Sequence, residues 1–346
     1  MSFYKILVLG AGGHGILSLR NLFEEEKIDF KIFYNTTDWG GSYGLWGRLL
    51  EYNNHELNQK LHNQKLPVLP FADPNKLICF YLEKSGIDPK LYFDFRSNNQ
   101  KEHVSAINKM FDKIKLTNDQ KSKFLEYFGI VWYYYKQNRF NLEYESKLCL
   151  GYIFQSFLYS SLGGMKAWNT FYQNIGILPK NIEICFSGDD RNILAGNDIS
   201  LERVIGEDKL DTYQSPILPN SLELLDIYHQ TINCNRLTVD CVEQSDLIII
   251  PNGSVANWLP LTNDSTLKTT LKSKKIVWIT NPYRTHNELI NPNYYLYLKE
   301  NDFNSIPLAQ LNGIKNKGFW NVLEQDKQGK YKPKDIANQI LKIIEE

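Results

Sequence analysis

With 346 residues, 42% of them hydrophobic and 23% charged, the chain has the composition of a globular protein rather than a disordered one, and it is long enough to bury a large core. Its 39 Lys and Arg balance 39 Asp and Glu, so the zero net charge removes the electrostatic case for a general nucleic-acid binder. No apolar run reaches the roughly 18 residues that a spanning helix needs, and the five scattered cysteines lack any CxxC spacing. They read as reduced, buried thiols, and the first strand begins too early for a signal peptide. The expectation is a cytoplasmic protein with no membrane and no nucleic-acid partner.

Residues Lys5 to Leu9 (KILVL) form an apolar β-type run that enters the turn Gly10-Ala11-Gly12-Gly13-His14-Gly15. Ile16 to Lys27 is predicted as an amphipathic helix with Leu17, Leu19, Leu22 and Phe23 on its apolar side. A second strand, Phe30 to Tyr34, leads to another glycine-rich turn, Asp38-Trp39-Gly40-Gly41-Ser42. Tyr43 to Tyr52 reads as a further helix start, and 53–70 as polar loop. Asp73-Pro74 signals a helix through Lys84, an N-cap followed by Pro at the first helical position. Residues 100–147 are helical in pattern and rich in Tyr, Phe and Lys, and they are expected to form an insertion or cap within a single domain over 1–346. Helices over Leu148–Leu162 and Met165–Ile175 follow. Ile182–Phe186 and Asn192–Leu194 suggest a hairpin across Ser187-Gly188-Asp189-Asp190. Leu247–Ile250 (LIII) and Lys275–Thr280 (KIVWIT) lack alternation, as in strands covered on both faces of a parallel sheet. They run into Asn252-Gly253-Ser254 and into Asn281 through Glu288 (NPYRTHNE). A helix from Asp264 to Lys272 separates the two strands, and a helix over 333–346 closes the chain. The pattern is a doubly wound, mostly parallel α/β sheet of Rossmann-like type.

In such a sheet the strand-end loops converge on one edge, where α/β folds bind ligands. Glycine turns that open helices present unpaired N–H groups to a phosphate, with a gain of roughly 0.3–1 kcal/mol per helix end. Gly10, Gly12 and Gly15 satisfy GxGxxG, which points to a dinucleotide such as NAD. The second strand, however, ends in Asn35 where an acid should hold the ribose, and Asp38 follows three residues later inside the second glycine loop. Gly40 and Gly41 allow close approach of a phosphate or sugar, while Asp38 can accept from a sugar or hold a metal ion. Each turn alone also reads as an ordinary tight turn. The six histidines are dispersed, with His14 in the first glycine loop, and show neither HxH nor HExxH spacing.

Taken in order, these segments resemble the superfamily of 2-phospho-L-lactate transferases and gluconeogenesis-factor (UDP-sugar-binding) proteins, the CofD-like proteins. Gly10 to Gly15 stands at its GGGTG-like turn, and Thr37 to Gly44 with Arg48 at its DDGGSSGRLR-like stretch. Pro70 to Lys76 matches a PPGDIRN-like segment, Ser245 to Ser254 a strand followed by GPGSLYTS, and Val277 to Glu288 a strand followed by asparagine and TQPGET. Trp39 replaces the second acid of the family's pair, and Leu150 to Gln155 lacks the histidine and asparagine of a GHSLGN-like helix start. The resemblance implies a nucleotide or nucleotide-sugar ligand. Gly10, Gly12, Gly13, His14, Gly15, Gly40, Gly41 and Ser42 would cradle phosphate; Asp38 and Asp73 would orient sugar or metal. Asn75, Asn252, Gly253, Ser254, Asn281 and Glu288 would line the remainder. It implies either a regulatory UDP-sugar binder or a transferase that moves a phospho-lactyl-like group to a hydroxyl, with Mg²⁺ held at Asp38. A nicotinamide oxidoreductase stays as a third reading. A homo-oligomer is compatible with the chain, which carries no heptad pattern.

Overall fold

The computed structural model describes residues 3–11, 15–34, 74–138, 147–186, 193–206, 209–210, 213–225, 229–253, 257–280, 297–309, 321–323 and 330–346. In chain order the elements begin with β1 (Tyr4–Ala11) and β2 (Ile28–Tyr34). There follow α1 (Asn75–Lys84), β3 (Arg96–Ser97), α2 (Gln100–Lys113), α3 (Asn118–Asn138), β4 (Leu148–Cys149), α4 (Leu150–Leu162) and α5 (Met165–Asn174). The remaining half contains β5 (Ile182–Phe186), β6 (Ile193–Asn197), β7 (Arg203–Ile205), β8 (Glu223–Leu225), β9 (Thr231–Ile232), α6 (Arg236–Gln244) and β10 (Leu247–Ile250). It ends with α7 (Leu259–Asn263), α8 (Ser265–Lys272), β11 (Ile276–Ile279), α9 (Tyr297–Glu300), β12 (Ser305–Ala309), β13 (Asn321–Val322) and α10 (Pro333–Glu345). The chain divides into two compact units, one of residues 1–37 with 181–346 and one of residues 38–180.

The first unit is built on a seven-stranded sheet in the order β13-β12-β11-β10-β1-β2-β5, every neighbouring pair parallel. Parallel strands need crossover connections, whose helices cover both faces, so the strands lose their alternation. Accordingly Ile6–Leu9, Leu247–Ile250 and Ile276–Ile279 are buried throughout. The expected doubly wound, mostly parallel α/β sheet is therefore present. The chain steps outward from β1 to β2 to β5, returns to the other side of β1 at β10, and then steps outward through β11, β12 and β13. The strand order thus reverses between β1 and β10, the position where open α/β sheets form a crevice at their carboxyl ends.

Two expectations for this unit need correction. Ile16 to Lys27 is not an α-helix but two short 3₁₀ turns, Ile16–Leu19 and Leu22–Glu24. The buried side chains are Ile16, Ser18 and Leu19 in the first turn and Leu22 and Phe23 in the second, and among them Ile16, Leu19 and Leu22 recur every third residue, the repeat of a 3₁₀ helix. Glu24, Glu25 and Glu26 would also lie at the helix C-terminus, where the backbone dipole disfavours negative charge. Second, Ile182–Phe186 does not pair with the following strand. It joins the parallel sheet beside β2, with Phe30 opposite Ile182 and Tyr34 opposite Phe186, while β6 lies in a separate antiparallel sheet ordered β7-β6-β8-β9. The run Ile184-Cys185-Phe186 is buried without alternation, so it suits a doubly covered sheet better than a two-stranded hairpin.

The second unit is mainly helical. Here α2 and α3 occupy most of the 100–147 segment, and β3 pairs antiparallel with β4. Its interior is aromatic: Phe124 packs edge-on to Phe154 with ring centroids 5.2 Å apart, and Trp168 to Tyr172 at 4.5 Å. Helix α1 begins after Pro74, which stands at the N-cap, so the expected helix is found one position later than the Asp-Pro signal placed it. Among the described residues no helix is long and apolar enough to cross a membrane.

Candidate functional site

The reversal of strand order brings the turn after β1 against the turn after β10. Gly10 has φ +73°, a left-handed conformation that a side chain rarely adopts, and a Cβ there would lie 2.5 Å from the Asn257 carbonyl oxygen and 2.7 Å from Trp258 Cβ. Gly15 has an ordinary right-handed backbone, but a Cβ there would lie 2.0 Å from the Asn252 carbonyl oxygen. The space left by these two glycines is thus taken up by the chain itself. They allow two strand-end turns to seat against each other at the switch point. Trp258, 1% exposed and 5.4 Å from Trp278 between ring centroids, backs the contact from within the core.

Among the described residues the polar groups at this edge are neutral. Asn252 carries a buried side-chain oxygen, Oδ1, with no hydrogen-bond partner among the described residues. A buried amide oxygen left without a donor costs roughly 1–3 kcal/mol, which a donor on a ligand would recover. At a Cβ position Gly253 would meet nothing closer than 3.4 Å, so the backbone beside Asn252 is open to approach. At the end of β11, the Thr280 hydroxyl lies 3.0 Å from the Tyr331 hydroxyl, and both are buried. Amides, hydroxyls and backbone groups can bind and orient a ligand but cannot act as acid or base near neutral pH.

The helix-dipole part of the phosphate argument does not carry over. The segment that opens at Gly15 is a four-residue 3₁₀ turn, and Ser18 Oγ donates back to the Gly15 carbonyl at 2.7 Å. So short a segment accumulates little macrodipole, and any anion binding here must come from individual N–H groups.

Of the residues singled out from sequence, Gly10, Gly15, Asn252 and Gly253 are brought together at the switch point. Asn75 belongs to the second unit. It is 1% exposed, and its Oδ1 accepts from Gln155 Nε2 at 3.1 Å, joining α1 to α4. A Cβ at Gly151 would lie 2.5 Å from the same Asn75 oxygen, so a glycine at the head of α4 makes room for it. Gly12, Gly13, His14, Asp38, Gly40, Gly41, Ser42, Asp73, Ser254, Asn281 and Glu288 lie outside the described residues. Among the described residues no group of three or more His, Cys, Asp or Glu is placed to hold a metal ion. Asn257, Trp258, Gln155 and the Thr280–Tyr331 pair carry no signal in the sequence. Their importance follows from contacts across 80 residues for Gln155 and 51 for Tyr331.

No protein-family profile and no curated protein sequence matches the chain. Among solved structures it is similar to the crystal structure of a protein member of the UPF0052 family from Bacillus halodurans, BH3568. The match covers 98% of this chain and 99% of that one, with a TM-score of 0.60 and 14% identity. A second crystal structure of BH3568 matches over 99% of this chain and 100% of that one, with a TM-score of 0.55 and 12% identity. At such identities the likeness is one of fold, and by this measure the chain has the fold of a UPF0052 protein over nearly its whole length.

Proposed function

We propose that the protein is a CofD-like binding protein that holds a phosphate-bearing nucleotide sugar of the UDP-sugar type in a regulatory role. The observation that carries the reading is the switch point itself. Two glycine turns meet where the strand order reverses, beside a buried Asn252 oxygen that lacks a donor among the described residues. Such an oxygen suits a sugar or ribose hydroxyl, and the neutral character of the described edge suits binding over proton transfer. The full-length likeness to a UPF0052 protein, a family grouped with the CofD-like proteins, supports the same scaffold.

The residues that would hold the phosphates are Gly12, Gly13 and His14 on the first turn and Gly40, Gly41 and Ser42 on the second glycine turn, with Ser254, Asn281 and Glu288 lining the remainder of the site. A transferase reading stays as the alternative because Asp38 is a carboxylate in a glycine loop and could hold Mg²⁺. When bound, that ion would neutralise a diphosphate leaving group.

The test is a calorimetric panel of UDP-N-acetylglucosamine, GTP, GDP, ADP and NAD⁺, each with and without Mg²⁺. Metal-independent binding of the UDP-sugar, weakened about tenfold in Asn252→Ala, is the expected result, corresponding to roughly one lost hydrogen bond. Metal-dependent binding of a guanine nucleotide that is lost in Asp38→Asn would replace the regulatory reading with group transfer. Binding of NAD⁺ alone would replace both with an oxidoreductase.

A further inference from the structure

We propose that Cys241 and Lys31 form a redox-sensitive lysine–cysteine cross-link, closed by peroxide and opened by thiols. The two side chains meet on the face of the sheet that α6 covers. Lys31 Nζ donates to Cys241 Sγ at 3.5 Å, and the same ammonium lies 3.6 Å from a Glu183 carboxylate oxygen. Both residues line a cavity of about 160 Å³, together with Lys5, Asp29 and Gln244. That volume admits several small molecules of the size of water or hydrogen peroxide. Cys241 is 3% exposed, so the cavity is its route to an oxidant.

The chemistry closes with one equivalent of peroxide. The Cys241 thiol is oxidised to a sulfenic acid as peroxide is reduced to water. Lys31 gives one ammonium proton to the Glu183 carboxylate, and from there to solvent. The freed amine attacks the Cys241 sulfur, a nitrogen–sulfur bond forms, and the sulfur–oxygen bond breaks. Hydroxide leaves and takes the second nitrogen proton as water. The net change is a thiol, an ammonium and a peroxide converted into a sulfenamide, two waters and one proton. Sulfenic acids are known to condense with nitrogen in this way, and an added thiol reverses the step by attack on sulfur. Cys185 is the competitor. It pairs with Phe33 in β5, two residues beyond Glu183, and so shares the sheet face with Lys31. A disulfide between Cys185 and Cys241 would lose the same two hydrogens.

The link would fasten β2, the neighbour of β1 in the sheet, to α6, the helix that leads into β10. It depends on the fold alone and not on the ligand assigned above. The experiment is peroxide titration of the full-length protein, followed by intact mass measurement and peptide mapping. The expected product has lost two hydrogens, yields a peptide joining Lys31 to Cys241, and returns to the starting mass with dithiothreitol. Lys31→Arg keeps the charge beside Glu183 but supplies no primary amine, and should oxidise at Cys241 without losing the two hydrogens. A Cys185–Cys241 disulfide overturns the proposal. So does Cys241 oxidised only to sulfinic acid with Lys31 free, or a Lys31→Arg protein that behaves like wild type.

Discussion

A methyl group at residue 15 separates packing from backbone strain, because Gly15 already has right-handed helical dihedrals. The obstacle is the Asn252 carbonyl group, its oxygen 2.0 Å and its carbon 2.9 Å from the new Cβ, and that group belongs to backbone and cannot rotate away. Gly15→Ala should therefore destabilise the protein by about 1–3 kcal/mol, in the range of overpacked cores. Gly253→Ala, with no atom closer than 3.4 Å, should change stability by less than about 1 kcal/mol. Urea unfolding of the two variants measures the difference, and equal costs would mean that the two turns are not seated as described. Asn252 is the complementary case. Its unsatisfied oxygen means that removing the side chain costs the fold little and the ligand more, so Asn252→Ala should alter affinity with the unfolding midpoint nearly unchanged.

Among the elements, α8 shows how one carboxylate organises a junction. Asp264 Oδ1 accepts from the backbone N–H groups of Thr266 and Leu267 at 2.8 and 3.1 Å, and Oδ2 from the Cys234 N–H at 2.6 Å. The same group therefore caps a helix and fixes the segment ahead of α6. Burial, reinforced by this carboxylate, holds the Cys234 thiol well above its usual pKa. Asp264→Ala should cost about 2–4 kcal/mol, because three backbone donors, two of them buried, lose a charged acceptor together. Asp264→Asn, which retains one oxygen, should cost less. Equal unfolding free energies for the two variants would show that the cap and the Cys234 contact are not coupled.

The elements also show which parts of the fold the sequence made legible. β1, β10 and β11 can be read directly, since a short apolar run without alternation has few alternatives to a doubly covered strand. The start of α8 can be read from Asp264 for the same local reason. The α-helix expected over Ile16 to Lys27 and the hairpin partner expected for the strand Ile182–Phe186 both fail, because local patterns there point in one direction and tertiary pairing in another. Apolar residues at three-residue spacing resemble a helix face, and a Gly-Asp pair resembles a hairpin turn. In the candidate site, Gly10 and Gly15 stand out as glycines, yet their partners, the Asn252 and Asn257 carbonyls, follow β10 more than 230 positions away and emerge only on folding. The pairing of Asn75 with Gln155 is hidden in the same way.

At the scale of the whole molecule, the second unit occupies a single chain segment, 38–180, between β2 and β5, two strands that pair in parallel. A parallel pair needs a crossover of a dozen or more residues, and here that connection carries a complete helical unit with its own aromatic core. Within that core His103 is fully buried. Its Nε2–H donates to the Ser97 carbonyl at 3.0 Å, and the ring meets Phe95, Phe128 and Trp132 at centroid distances of 5.2, 5.5 and 5.6 Å. Burial holds its pKa below the usual value, although the Ser97 carbonyl and Glu102 pull the other way. In the unfolded chain it titrates near 6.5, so below that pH the unfolded state binds the extra proton first. Stability from this residue is therefore complete above about pH 6.5 and falls as the pH drops toward the folded value. That loss belongs to the second unit. Amide exchange at pH 5.5, corrected for intrinsic rates and compared with pH 7.5, should show α2 and α3 losing protection while β1, β10 and β11 hold theirs. His103→Gln, which keeps a donor for Ser97 and cannot be protonated, should flatten the pH response even if it lowers stability at neutral pH. A uniform loss across both units, or an unchanged response in the variant, would place the acid-sensitive group elsewhere.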